Sequence, residues 1–348
     1  MKLLNRKKIA ITLAATIAIG GIISSVDMNT LVFAEKKSSD EVSIQPMHIS
    51  NELYAKLKNA KVSDKFSCIV TFNSHVDEKE YAALEKNIGK INKELTYSKG
   101  MEGFSAKLTK KEIELLNNNS NVSKIKLVSE FLVGKELTIA SKLNGNTDGW
   151  IGGFADYPEQ DKSIYQLNYS HKPMPKELNN KNKALFLSGV NRSDDLFMFV
   201  KKNLLKGSKL KPNTTYSVTF DFEIATNASS GLIGVGGSPG ESVYVKAGVT
   251  TQEPKPQLNK EGFYLMNIDK GDQSEDGKNS LLLGNLAKLK SDDDSYELKT
   301  FTNKNNPFII KTNAKGDLWI FIGTDSGYES KTSIYIPKIN VKIREIKM

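Results

Sequence analysis

The chain has 348 residues, with 49 basic and 40 acidic residues, a formal net charge of +9 and a single cysteine. At about 100 to 200 residues per domain, this length predicts two domains, each able to bury its own core, and excludes a wholly disordered chain. Only three of the basic residues are arginines, although arginine is the side chain that best reads phosphates and base edges. The surplus of lysine therefore indicates a solvated surface and no nucleic-acid partner.

The first 34 residues have the pattern of a secretory signal peptide. Basic residues at positions 2, 6, 7 and 8 precede the apolar run 9–23, and Val32–Ala34 supplies small residues for a cleavage site. The alternative is an uncleaved anchor, but the run is short for a membrane span. We expect a secreted or cell-envelope protein with no stable membrane span once residues 1–34 are removed. Cys68 is the only cysteine, so an intramolecular disulfide framework is excluded.

Residues 35–60 predict a polar linker with a short helix near its end, and residues 61–135 predict the first domain. Ser67–Phe72 is the apolar, β-branched run of a buried strand, and Thr109 with Glu112 forms the capping box of a helix. Six segments follow one another in the order βαββαβ, the plan of a ferredoxin-like domain: 67–72, 77–89, 91–98, 104–108, 109–117 and 122–128.

Three runs in this domain carry a resemblance to a known family. They are Cys68–Phe72, the hexamer Gly-Phe-Ser-Ala-Lys-Leu at Gly103–Leu108, and Val122–Glu130. Together they resemble the propeptide-like inhibitors of subtilisin-like serine proteases. The resemblance implies that the domain folds against a protease and that an extended tail lies in the substrate cleft like a bound product. That role would fall on Ser129, Glu130, Phe131, Leu132, Val133, Gly134, Lys135 and Glu136.

An extended tail of this kind binds by adding a strand to the cleft, with alternate side chains filling pockets. Phe131, Leu132 and Val133 suit a cleft that prefers apolar side chains. No subtilisin follows in the chain, because residues 136–348 contain one histidine, His171, and lack the Asp, His and Ser pattern of such a protease. We therefore expect a non-enzymatic protein without catalytic residues and with an external subtilisin-like serine protease as partner. Whether the tail is cleaved is left open.

Residues 140–348 predict an all-β jelly-roll-type sandwich, which makes the fold class of the whole chain α+β. Twelve short apolar runs, among them the predicted strands 231–235, 332–336 and 340–346, are separated by turns rich in Gly, Asn, Asp and Ser, and no long amphipathic helix interrupts them. Within this region, Lys211–Phe220 resembles the turn and core strand of sandwiches like those of carbohydrate-binding modules. The region as a whole resembles an uncharacterised family of secreted bacterial β-sandwich proteins.

Polar clusters between the predicted strands supply the candidate ligand residues. If they converge, they offer carboxylates, one guanidinium and aromatic rings, a mixture that suits a cell-wall glycan. The alternatives are a structural ion pair between Arg192 and Asp194 or Asp195, and core packing for the two tryptophans, Trp150 and Trp319. The candidates are Arg192, Asp194, Asp195, Glu241, Asp269, Asp272, Trp319, Asp325 and Tyr328.

The sequence of this region has features of two further chemistries. Asp272–Gly277 matches the opening of an EF-hand loop, but its last ligand position is Leu283, so only a looser calcium site is left open and no other cofactor is expected. Ser326 lies between Gly323 and Gly327, where we favour a tight polar turn over a catalytic serine. Three hypotheses follow: a protease inhibitor or chaperone, a glycan-binding protein whose inhibitor-like unit aids folding, and an enzyme with an unrecognised site in the sandwich loops.

Overall fold

The computed structural model describes residues 47–132, 134, 136–204, 210–289 and 293–347. The expected signal peptide at 1–34 and the first part of the expected linker lie outside the described residues. Within the described ranges, no helix is long and apolar enough to cross a membrane.

The N-terminal region, which we call the module, is a four-stranded antiparallel sheet with helices on one face. Its sheet order is β2-β3-β1-β4. The elements are α1 (Asn51–Lys58), β1 (Lys65–Phe72), α2 (Glu78–Ile88), β2 (Lys93–Tyr97), β3 (Gly103–Thr109), α3 (Lys110–Asn117), β4 (Val122–Leu127) and α4 (Val128–Phe131).

Local signals in the sequence account for most of these elements. Asp77 caps α2 by accepting a hydrogen bond from the amide of Glu80, and Gly89 ends that helix at a φ of 101°. The predicted capping box of Thr109 and Glu112 is present at the start of α3. One correction concerns the expected linker, because Leu53 and Leu57 of α1 are fully buried in the core of the module. Part of the segment 35–60 therefore belongs to the module.

The C-terminal region, which we call the sandwich, is almost entirely β structure with two short 3-10 segments at Lys162–Tyr165 and Lys176–Leu178. Its strands are β5 (Leu137–Lys142), β6 (Ile151–Ala155), β7 (Tyr157–Pro158), β8 (Asn168–Pro173), β9 (Lys183–Val190), β10 (Leu196–Asn203), β11 (Thr215–Thr226), β12 (Val243–Thr250), β13 (Pro256–Leu258), β14 (Phe263–Met266), β15 (Ser280–Asn285), β16 (Glu297–Thr302), β17 (Phe308–Lys311), β18 (Trp319–Ser326) and β19 (Lys331–Glu345).

Two sheets pack face to face to form this sandwich. One has the order β15-β12-β18-β10-β6, and the other has the order β16-β11-β19-β9-β8, with β17 also on β11 and β5 also on β19. Inward-facing residues such as Phe220 and Phe222 of one sheet and Ile320 and Ile322 of the other form the main apolar core. A smaller apolar cluster lies on the outer face of the first sheet, where Phe197, Phe199 and Phe321 contact Ile268.

Three sequence predictions for the sandwich were wrong. The expected turn at 323–327 is largely strand, because β18 continues to Ser326. The expected strand at 231–235 is a loop, since Gly231 and Gly236 adopt positive φ angles of 73° and 70°, and it leaves Ile233 98% exposed. The two strands expected at 332–336 and 340–346 form one long strand, β19.

Candidate functional site

The predicted protease-binding tail begins in a helical turn. The expected extended conformation is wrong for Val128–Phe131, which forms α4. Glu130 stabilises this turn because its carboxylate accepts hydrogen bonds from the Leu127 amide (2.8 Å) and the Ser50 hydroxyl (2.7 Å). Ser129 is exposed, whereas Phe131 is only 1% exposed. The turn thus directs Phe131 inward.

Phe131 is part of an apolar cluster that joins the module to the sandwich, and we call it the bridging cluster. Its buried members are Ile69, Tyr97 and Phe131 of the module with Ile309 and Ile346 of the sandwich. The rings of Tyr97 and Phe131 have centroids 5.8 Å apart. Burial raises the pKa of Tyr97 to about 12, so its hydroxyl stays neutral. No local sequence pattern predicts the apolar partners of Phe131, because Ile309 and Ile346 lie far from it along the chain.

The rest of the tail follows the end of β19. The amide of Lys347 donates to the carbonyl of Phe131 (2.9 Å), and Leu132 forms a β-bridge with Ile346. Gly134 and Glu136 are exposed, and Glu136 forms an ion pair with Lys342 (3.5 Å). Val133 and Lys135 lie outside the described residues. The tail then enters β5, which pairs with β19 from Leu137 opposite Ile343 to Lys142 opposite Lys338.

A second contact between the two regions is formed by the turn that joins β2 to β3. The amide of Thr96 donates to Asn305 (2.8 Å), and the amide of Ile309 donates to Lys99 (2.8 Å), in both cases to a backbone carbonyl. Lys99 also forms an ion pair with Asp276 (3.3 Å). Gly100 has a φ of 76°, and a Cβ atom there would lie 1.6 Å from the carbonyl oxygen of Ile309. Only glycine therefore permits this close approach of the two backbones.

The face of the module sheet opposite α1, α2 and α3 is only partly covered by these contacts. A groove of about 370 Å³ remains beside the bridging cluster, lined among others by Thr71, Met101, Lys124 and Lys126. Burial and the nearby ammonium of Lys124 lower the pKa of Lys126, whose Nζ donates to the carbonyl of Lys347 (3.0 Å). This groove and the adjacent tail form the candidate protein-binding surface.

A cluster of buried charges on the outer face of the sandwich contains two of the predicted ligand residues, and we call it the charge cluster. Asp195 and Asp325 meet there, together with Asp156, Lys246 and Lys270, which the sequence did not single out. The Nζ atom of Lys270 lies 2.8 Å from Asp325, 3.1 Å from Asp156 and 3.7 Å from Asp195. Lys246, with a fully buried side chain, lies 3.0 Å from Asp325.

The surroundings of the charge cluster shift the pKa values of its members in opposite directions. Burial and the Asp325 carboxylate raise the pKa of Asp195 to about 8, and burial raises the pKa of Asp156 to about 6. Burial would also raise the pKa of Asp325, but the ammonium groups of Lys270 and Lys246 lower it overall. One oxygen from each of the three carboxylates lies within 4.8 Å of the others, a spacing that could hold a cation. The ammonium of Lys270 is already at hydrogen-bond or ion-pair distance from all three.

The other predicted ligand residues do not converge with this cluster. Glu241 accepts from Ser230 and Ser238 within its own loop, and these hydrogen bonds lower its pKa to about 2. Arg192 and Asp194 are exposed, and Arg192 forms no ion pair with any residue that the structure describes. The remaining candidates are dispersed: Asp269 and Asp272 are exposed, Trp319 is half-buried near Lys201, and Tyr328 lines a separate cavity of about 240 Å³.

Ser326, the alternative catalytic serine, and His171 contact different groups. The hydroxyl of Ser326 donates to the carbonyl of Tyr328 (3.1 Å), and the side chain of His171 contacts the carbonyl of Leu143 (2.7 Å). Trp150 is 2% exposed in the main core, where its indole N–H donates to Ser141 (3.0 Å). The side chains of Ser326, His171 and Trp150 therefore form hydrogen bonds within the sandwich.

Comparisons with known proteins point to the module first. Residues 55–127 match the peptidase inhibitor I9 family, which supports an inhibitor or propeptide role for this part of the chain. No curated protein matches the sequence.

Solved structures similar to the chain include carbohydrate-binding modules and an adhesin domain. One is TmCBM61 in complex with beta-1,4-galactotriose (10% identity, 55% of this chain and 86% of that chain covered, TM-score 0.26). Another is TmCBM27, described by its specific mannan recognition (11% identity, 62% and 99% covered, TM-score 0.30). A third is the K1 cleaved adhesin domain of Lys-gingipain from Porphyromonas gingivalis W83 (11% identity, 59% and 97% covered, TM-score 0.28).

Proposed function

We propose that this chain, whose residues 55–127 are a peptidase inhibitor I9 module, is an exported non-enzymatic protein that inhibits or helps to fold a subtilisin-like serine protease. The family match is the observation that carries the proposal. The antiparallel order β2-β3-β1-β4 supports a ferredoxin-like assignment for the module, and the two-sheet core supports a jelly-roll-type assignment for the sandwich. The two proposed domains are residues 61–135, extended by α1, and residues 140–348.

The half-covered sheet of the module supports a protein partner. The helices α1, α2 and α3 cover one face of the module sheet, whereas the groove lies on the other face. Apolar Met101 and Ile69 line this groove beside the basic side chains of Lys124 and Lys126. Such a mixed apolar and charged surface is typical of a protein-binding surface that also exists free in solution.

The test is a titration of subtilisin-like proteases with the full chain. The rate at which the protease hydrolyses a small peptide substrate measures its activity at each step. We expect competitive inhibition, together with a higher recovery of activity when the denatured protease refolds in the presence of the chain. A trypsin-like protease is the control, because it has the same catalytic chemistry on an unrelated fold. The proposal fails if neither inhibition nor improved refolding occurs with any of the subtilisin-like proteases, either with the full chain or with a variant in which the contact between module and sandwich is open.

A further inference from the structure

We propose that the sandwich keeps the inhibitor module latent in the intact chain, because it holds the tail that a protease cleft would have to bind. This inference rests on the proposed function and adds a regulation to it. Within the intact chain, the tail is bound to the end of β19. A protease gains the tail only when the contact between module and sandwich opens.

Main-chain groups of the tail already form contacts with the sandwich. The carbonyl of Phe131 accepts from Lys347, Leu132 bridges to Ile346, and β5 forms a continuous ladder with β19 from Leu137 onward. A peptide that binds a cleft by strand addition must offer these same main-chain groups to the enzyme. Residues 128–131 must also leave their helical turn before they can become a strand. Binding in the cleft and binding to β19 are therefore mutually exclusive for this segment.

Two apolar side chains of the tail, those of Phe131 and Leu132, are packed against the sandwich as well. Phe131 is 1% exposed, and the half-buried Leu132 packs against the same bridging cluster. Phe131 cannot fill a pocket of a protease while its ring contacts Tyr97. When only a fraction of the molecules is binding-competent, the apparent inhibition constant rises by the inverse of that fraction. Latency therefore predicts weak inhibition by the intact chain and strong inhibition by a chain whose contact is open.

Gly100 provides a way to open the contact without changing the tail. A methyl group at this position would overlap with the carbonyl oxygen of Ile309. Ile309 is itself a member of the bridging cluster. Gly89 provides the matched control, because its φ is also positive at 101° and no atom lies within 4 Å of a Cβ built there. Both substitutions strain the backbone of the module, but only Gly100→Ala separates the module from the sandwich.

The experiment compares the full chain with the full-length variants Gly100→Ala and Gly89→Ala as inhibitors of a subtilisin. We expect the inhibition constant of Gly100→Ala to fall at least about tenfold, and that of Gly89→Ala to equal the parent value. Ile346→Asp serves as a second variant that opens the contact from the sandwich side. Amide hydrogen exchange at Thr96, Ile309 and Lys347 measures the opening itself, because each of these amides donates to a carbonyl across the contact.

Each outcome decides between the two proposals. If the parent chain inhibits as strongly as the opened variants, latency is wrong and the proposed inhibitor function stands. If the opened variants inhibit more strongly, both are supported. If hydrogen exchange shows that the contact has opened and neither inhibition nor assisted refolding follows, the proposed function fails and latency fails with it.

Discussion

The core of the module and the charge cluster on the outer face of the sandwich are both buried, but the first consists of apolar side chains and the second of charged ones. Beneath the module helices the core consists of apolar side chains such as Leu116, Ile125 and Phe104. On the outer face of the sandwich, Asp325 and Lys246 are as deeply buried as those residues. The comparison teaches that an apolar core tolerates approximate complementarity, whereas a buried charge depends on each of its partners.

The largest effect is expected when the charge cluster loses its central carboxylate. Asp325→Ala leaves the buried ammonium of Lys246 without the carboxylate 3.0 Å away and should lower the free energy of unfolding by about 3 to 5 kcal/mol. Chemical denaturation measures this value. Asp272→Ala removes an exposed carboxylate of the neighbouring loop and is the control. Equal stability of the two variants would show that the cluster contributes no net stability.

A similar but smaller effect is expected in the apolar core of the module. Leu116→Ala removes a fully buried side chain and should cost about 3 kcal/mol, because the truncated residue leaves a cavity. Leu115 precedes it in α3 and is 37% exposed, so Leu115→Ala should change stability by about 0.5 kcal/mol or less. Thermal unfolding followed by circular dichroism compares the two. A loss of the same size at both positions would contradict the assigned core face of α3.

The third effect is a pH dependence that the charge cluster should show and the apolar core of the module should not. Asp195 has a pKa of about 8 in the folded state, above its ordinary value of 3.8, so the folded state retains a proton that the unfolded state releases. The free energy of unfolding contributed by this group therefore falls as pH rises from about 4 to about 8. Burial and the carboxylates of Asp325 and Asp156 raise the pKa of Asp195, whereas the ammonium of Lys270 lowers it.

Asp195→Asn should remove that part of the decline, because an amide stays neutral at every pH in the window. The midpoint of urea unfolding, measured on both sides of the window, gives the slope for each protein. Asp194→Asn changes the exposed neighbour and should keep the parent slope. If Asp195→Asn declines as steeply as the parent, the proton is held elsewhere in the cluster.

The parts of the fold that were predicted correctly depend on short stretches of sequence. The helix that follows Asp77, the capping box of Thr109 and the strand β1 follow from neighbouring residues, and each element has the expected bounds within two residues. The resemblance of Gly103–Leu108 to the inhibitor family was likewise carried by adjacent residues and agrees with the family match.

The errors arose where distant residues decide the structure. Asp325 was expected in a turn because Gly323 and Gly327 flank it, but Lys246 and Lys270 neutralise it within a strand. Phe131 was expected to be free because Ile309 and Ile346, which bury it, come much later in the chain. Pairings of this separation leave no local pattern in a single sequence. The glycan interpretation of the sandwich stays a prediction.

The position of Cys68 has a practical consequence for timing events in this molecule. It is the only thiol in the chain, lies fully buried on β1, and burial raises its pKa to about 12. A thiol reagent can therefore modify it only when the module opens. Both tryptophans, Trp150 and Trp319, belong to the sandwich, so their fluorescence follows that region alone. The native chain thus carries a separate natural reporter in each region, and the order in which the two open can be recorded without any added label.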